Sequence, residues 1–250
     1  MDYSNKYIVS FSLAVCLVCA LVVSAFAVGL KPLQEENIKL DKQQNLLVVA
    51  GITESTKEAV LAHFAGDSAD ILTYKVDRKT GKVLGQIEFG TFNPHEDASQ
   101  EVIKNPGKMP SLPNELVVYK VTTPGKECWI LPVWGKGLWS TLQGYISLED
   151  DNNTIKGLTF YAHAETAGLG GEIDNPKWKA LWPGKKAYDA DGNSCLEVVK
   201  AGAPQSNPEH QIDGLSGATL TINGVTGVMQ LWFGDLGYGP FLKAQTNKGN

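Results

Sequence analysis

Hydrophobic and polar positions divide this chain at Lys31. From Tyr7 to Leu30 no residue is charged. At ~1.5 Å per helical residue the run spans roughly 36 Å, enough for a hydrocarbon core of about 30 Å. Pro32 closes the apolar segment. Residues 33–49 are polar and then apolar, free of Gly and Pro, and predict a helix continuing away from it. Glu54–Phe64 predicts a second helix, with Val60, Leu61 and Phe64 on one side and Gly66 past its end. Further on the period shortens. Ile71–Val76 and Val83–Phe89, joined through Thr80-Gly81, read as strands, as do Leu116–Val121, Cys128–Val133, Leu138–Leu148, Ile155–His163 and Cys195–Val199. The polar, proline-bearing stretch 92–112 reads as a loop. From Thr221 the apolar residues Val225, Val228, Met229 and Trp232 recur at helical spacing. The expectation is an α+β chain: a single N-terminal transmembrane helix, then one soluble domain with a mostly antiparallel sheet and flanking helices.

Composition narrows this picture. The 250 residues are 43% hydrophobic and 20% charged, an ordinary globular balance. A net charge of −5, with no basic stripe, argues against nucleic acid as a partner. Four cysteines do not make a disulfide scaffold. Cys16 and Cys19 lie in the apolar run and read as packing residues, and the pairing of Cys128 and Cys195 is left open. The apolar run itself has competing readings. Lys6 before it and Ala25-Phe26-Ala27 within it fit a cleaved signal peptide, which would leave a secreted binding module. The run is longer than the roughly 7–15 residues of a signal core, which favours a retained anchor. A lipoprotein is disfavoured because Val15 directly precedes Cys16. Lys6 and Lys31 nearly balance, and a large domain after one span translocates despite weak charge bias, so the domain is expected outside the cytoplasm.

Two Gly-rich runs carry the candidate chemistry. Asp213-Gly-Leu-Ser216-Gly217-Ala218-Thr219 precedes the last predicted helix. Small residues let backbone approach a ligand, and a helix N-terminus with a hydroxyl beside it suits a phosphate. The same residues also make an ordinary capping turn. His163-Ala-Glu165-Thr166-Ala-Gly168-Leu169-Gly170-Gly171 leaves a predicted strand, where glycines open the backbone to a ligand or simply turn the chain. His163 reads as structural rather than as a base or metal ligand, because no second histidine or cysteine sits at ligand spacing. Upstream, Trp134-Gly-Lys-Gly-Leu-Trp139-Ser-Thr141 sets aromatics among glycines, a pattern suited to stacking or to core packing. No G-x-S-x-G elbow, Walker loop or dinucleotide G-x-G-x-x-G is present, and no acid/base pair suggests hydrolysis. No catalytic residue and no metal site are therefore assigned.

Taken together, the two runs resemble the FMN-binding domain family. Asp-x-x-Ser-Gly-Ala-Thr is similar to its flavinylation motif, in which the last Thr carries FMN through a phosphoester. Glu-Thr-Ala-Gly-Leu-Gly is similar to its partner motif, with Ala167 where the family usually has Pro, a change that loosens one turn. With 135–141, 172–179 and 234–241, the likeness extends over nearly the whole chain to the family of C subunits of sodium-translocating NADH:quinone oxidoreductases. The G subunit of the Rnf electron-transport complex is the alternative.

The resemblance implies residues 1–6 in the cytoplasm, 7–30 in the bacterial inner membrane and 31–250 as a periplasmic FMN-binding domain. It implies covalent FMN on Thr219, a loop shaped by Ser216, Gly217 and Ala218, and a flavin lined by Glu165, Thr166, Gly168, Leu169 and Gly170. Trp139 and Thr141 are candidates by position. Asp213 would belong to the signal read by a flavin transferase that moves FMN from FAD. Partners would be the other members of a six-subunit sodium pump, which bind NADH and ubiquinone themselves.

Overall fold

The apolar run and the polar segment after it make one helix, α1 (Asn5–Val49), which continues through Gly29 and Pro32. The computed structural model describes residues 4–54, 56–66, 69–97 and 99–246. They form two compact units, the first ending at Asp41 and the second beginning at Lys42. In the first, α1 is long and apolar enough to cross a membrane, and none of its apolar window is buried within the protein. The last turns of α1 belong to the second unit, where Leu46, Leu47 and Val49 are buried.

The second unit begins with these turns and α2 (Lys57–Ala62), capped by Thr56, whose Oγ1 accepts from the Ala59 amide at 3.2 Å. The alternating segments then become β1 (Ile71–Asp77), β2 (Val83–Ile87), β3 (Gln100–Glu101), β4 (Leu112–Pro113), β5 (Glu115–Val121), β6 (Cys128–Lys136), β7 (Thr141–Leu148) and β8 (Ile155–Ala162). The short helix α3 (Pro176–Lys179), β9 (Glu197–Val199), β10 (Gln211–Asp213), α4 (Thr219–Phe233) and α5 (Gly239–Thr246) complete it. Six strands form one sheet in the order β2-β1-β5-β6-β7-β8, antiparallel throughout. β9 and β10 pair in parallel, and β3 with β4 antiparallel.

The sheet is covered on both faces. On one, Val225, Val228, Met229 and Trp232 of α4 are fully buried against β6 and β9 in a core with Leu116, Val118, Leu131 and Ile146. The Trp232 indole N–H donates to the Trp134 carbonyl at 2.6 Å, which fixes the end of α4 over β6. On the other, the end of α1 lies across β7 and β8. Ser147 Oγ donates to the Val49 carbonyl at 2.6 Å and Thr159 Oγ1 to Asn45 Oδ1 at 3.4 Å. Arg78, the single arginine, is buried at the end of β1 and donates to the Pro113 and Leu236 carbonyls and to Glu101. It ties the β1 corner to β3, β4 and the turn between α4 and α5.

Several boundaries differ from the sequence pattern: the helix expected over Glu54–Phe64 is confined to Lys57–Ala62, and the strand expected over Cys195–Val199 to Glu197–Val199. The strand expected from Leu138 starts at Thr141, because the amides of 138–140 turn toward Glu165 instead of a neighbouring strand. The loop expected over 92–112 holds a 3₁₀ turn at Pro94–Glu96 and the short β3. α4 begins at Thr219, two residues earlier than the apolar spacing starts, because polar first-turn residues leave no periodic signal. All four cysteines are free, and Cys128 is buried with its thiol pushed up to about 11 by that burial.

Candidate functional site

The two Gly-rich runs meet in space. The turn at 215–218 closes through the Ala218 amide donating to the Leu215 carbonyl at 3.2 Å, and Gly217 adopts φ +75°. Its left-handed backbone favours glycine here, and a Cβ at this position would lie 3.0 Å from Leu169 Cδ2, which places the two runs side by side. Thr219 is the first residue of α4 and is exposed, as are Ser216 and Gly217, while Ala218 is buried. Ala218 is the N-cap, and no side chain caps the helix. The first-turn amides of α4 thus open beside the Thr219 hydroxyl.

Behind this surface sits a buried carboxylate. Glu165, 8% exposed, accepts from the amides of Trp139 at 3.0 Å, Leu138 at 3.3 Å and Ser140 at 3.4 Å, and from the Thr221 hydroxyl at 2.6 Å. Burial opposes its charge, but the Thr221 hydroxyl and the three amides outweigh it and hold the carboxyl below the usual glutamate range. Gly170 closes the same cluster: a Cβ there would stand 2.4 Å from Thr221 Oγ1.

The start of the run is stapled by His163. Its Nδ1 accepts from the Glu165 amide at 3.2 Å, which leaves the proton on Nε2 to donate to Asp174 at 2.7 Å. Ser140 Oγ accepts from the Ala164 amide at 2.8 Å and joins the 137–140 loop to the run. Within the run the Thr166 carbonyl takes the amides of Leu169 and Gly171.

Exposed apolar side chains stand on the segments that meet here: Trp139 is 67% exposed, Leu220 59%, Leu169 44% and Leu138 40%. Surface of this kind, near an open helix start, suits a flat apolar ring with an anionic tail.

Of the residues singled out from sequence, Thr219, Ser216, Gly217, Ala218, Glu165, Leu169, Gly170 and Trp139 come together here. Thr166 and Gly168 are exposed in the turn between them. Thr141 stands in the β6–β7 ladder opposite Lys136. Asp213 faces away: its carboxylate accepts from the Gly202 amide at 2.8 Å, and its carbonyl accepts the Trp178 indole N–H. Thr221, Leu138, Leu220 and Ser140 also belong to the site. A hydroxyl at Thr221, at the head of an apolar helical face, was the available signal for the first of these. Among the described residues no cluster of three His, Cys, Asp or Glu side chains could hold a metal.

Comparison with known proteins agrees with this geometry. Residues 137–233 match a family model described as FMN-binding domain. A Pseudomonas aeruginosa protein, named as the C subunit of Na(+)-translocating NADH-quinone reductase, is 42% identical, covering 95% of this chain and 94% of its own length. A Vibrio anguillarum protein of the same name is 41% identical over 92% of this chain and 91% of its own. Among solved structures, Shewanella oneidensis NqrC superposes with TM-score 0.76 at 31% identity, covering 84% of this chain and 99% of that one. The C subunit from Parabacteroides distasonis gives TM-score 0.65 at 27% identity, over 85% and 96%.

Proposed function

The chain belongs to the family of C subunits of Na(+)-translocating NADH-quinone reductases, and from that premise we propose that it carries FMN covalently, through a phosphoester to Thr219 Oγ1. It is a membrane-anchored flavin electron-transfer subunit of a multi-subunit oxidoreductase. The observation that carries the proposal is Thr219 itself: an exposed residue at a helix start that no side chain caps, preceded by Gly217 in left-handed backbone.

The residues fit the group. The first-turn amides and the positive end of α4 favour an anionic phosphodiester. Leu169, Trp139, Leu138 and Leu220 offer apolar surface to a ring, and the exposed turn at Thr166–Gly168 offers backbone polar groups at its edge. Bound there, FMN supplies the electron chemistry, and the chain supplies its position and surroundings. A covalent tether keeps the cofactor where a lost flavin is not easily replaced. Within the same proposal the domain stands on the periplasmic side of the inner membrane. A separate flavin transferase loads it, and the remaining members of a six-subunit complex bind NADH and quinone.

The expected outcome of Thr219→Ala is complete loss of the flavin-fluorescent band on a denaturing gel of the purified chain. A band that survives the substitution places the linkage elsewhere.

A further inference from the structure

Three segments far apart in sequence meet at one side chain. Glu165 follows β8, residues 138–140 join β6 to β7, and Thr221 lies in the first turn of α4. Glu165 Oε1 takes the Trp139 and Ser140 amides, and Oε2 takes the Leu138 amide and the Thr221 hydroxyl. Both oxygens are thus engaged inside the protein. The segments they gather carry the exposed elements of the site: Leu138 and Trp139 on the loop, Thr219 and Leu220 on the helix. The His163 staple fixes the chain just before Glu165, so the carboxylate is held from its own backbone as well.

We propose that Glu165 is a positioning residue for flavin attachment, holding Thr219 and these apolar side chains in register before the flavin arrives. This rests on the reading of Thr219 as the attachment site. In that reaction the Thr219 hydroxyl oxygen bonds to the FMN phosphorus of FAD, the pyrophosphate bond breaks, and AMP leaves as the hydroxyl proton is released. No electrons change hands. The oxygen must meet the phosphorus in line, so displacement of the first turn of α4 slows the step. A carboxylate suits the hub because four donors converge on it and it has only acceptors to offer. Glutamine keeps the volume but sets an NH₂ group against N–H donors and leaves them unpaired.

The test uses the full-length chain produced without flavin and incubated with purified flavin transferase and FAD, with attachment read by in-gel fluorescence. Glu165→Gln is expected to slow attachment about tenfold, as loss of a charge-assisted hydrogen bond would. In the flavin that does attach, loss of the nearby negative charge is expected to shift the reduction potential positive. A wild-type rate, or an unchanged potential, overturns the proposal. Thr221→Val removes one donor and keeps the shape. It is expected to slow attachment roughly threefold, and its rate decides the matter if Glu165→Gln does not fold. Thr219→Ala is run alongside. Flavin on that variant defeats the attachment-site reading itself. Absence of flavin there, with wild-type behaviour of the Glu165 variant, defeats only the positioning role.

Discussion

A charged side chain turned into a protein has to find partners or give up its charge. Glu165 finds three amides and a hydroxyl, and Asp213 finds the Gly202 amide. His63, after α2, finds two carboxylates: Nδ1 lies 2.6 Å from Asp70 and Nε2 3.4 Å from Glu54. Asp70 is itself held by the Thr123 hydroxyl. Burial disfavours the imidazolium, but the hydrogen bonds that its ring N–H groups donate to the Asp70 and Glu54 carboxylates outweigh it and raise the His63 pKa above its ordinary value. A raised folded pKa gives stability that is fully present below the unfolded value of about 6.5 and is lost as pH rises through the folded value. Denaturant midpoints measured upward from about pH 5.5, in steps of about 0.5, should therefore fall across that window, and His63→Gln should flatten that part of the curve.

At the scale of elements, the start of α4, the 137–140 loop and the 165–171 run form one packed unit, so a change in any of them reaches the others. Gly170→Ala places a Cβ 2.4 Å from Thr221 Oγ1 and 3.0 Å from Glu165 Oε2. The expected cost is about 1–3 kcal/mol of overpacking, read as a lower melting temperature together with lower flavin content. The regular parts of these elements were legible in the chain. Strand alternation located the six-stranded sheet to within a few residues, and the apolar positions of α4 identified its buried face. The Asp213–Thr219 motif pointed to Thr219 without any structure. Contacts between segments were not legible. Nothing near Leu138 announces that its amide will turn to a glutamate after β8, and Glu165 read as a flavin-lining group where its carboxylate is spent inward. α3 is a single turn, too short for periodicity, and α5 opens on Gly239-Pro240, which reads as a turn.

On the whole molecule, the boundary that matters lies inside α1. The apolar pattern ends at Leu30, yet the second unit starts at Lys42 and takes the last helical turns into its core. Deletion of residues 1–41 should release a folded protein from the membrane fraction. Deletion of residues 1–50 also removes Leu46, Leu47 and Val49 from the sheet, at about 1.5–3 kcal/mol each. That second truncation should melt far lower or not fold, and a thermal melt of the two side by side checks it. Covalent flavin at Thr219 is tested most directly by the mass of the peptide containing that residue, taken from the native chain purified from membranes. This peptide should be heavier by one FMN less one water. The same peptide at its unmodified mass, in a preparation that carries FMN, would contradict the phosphoester at Thr219.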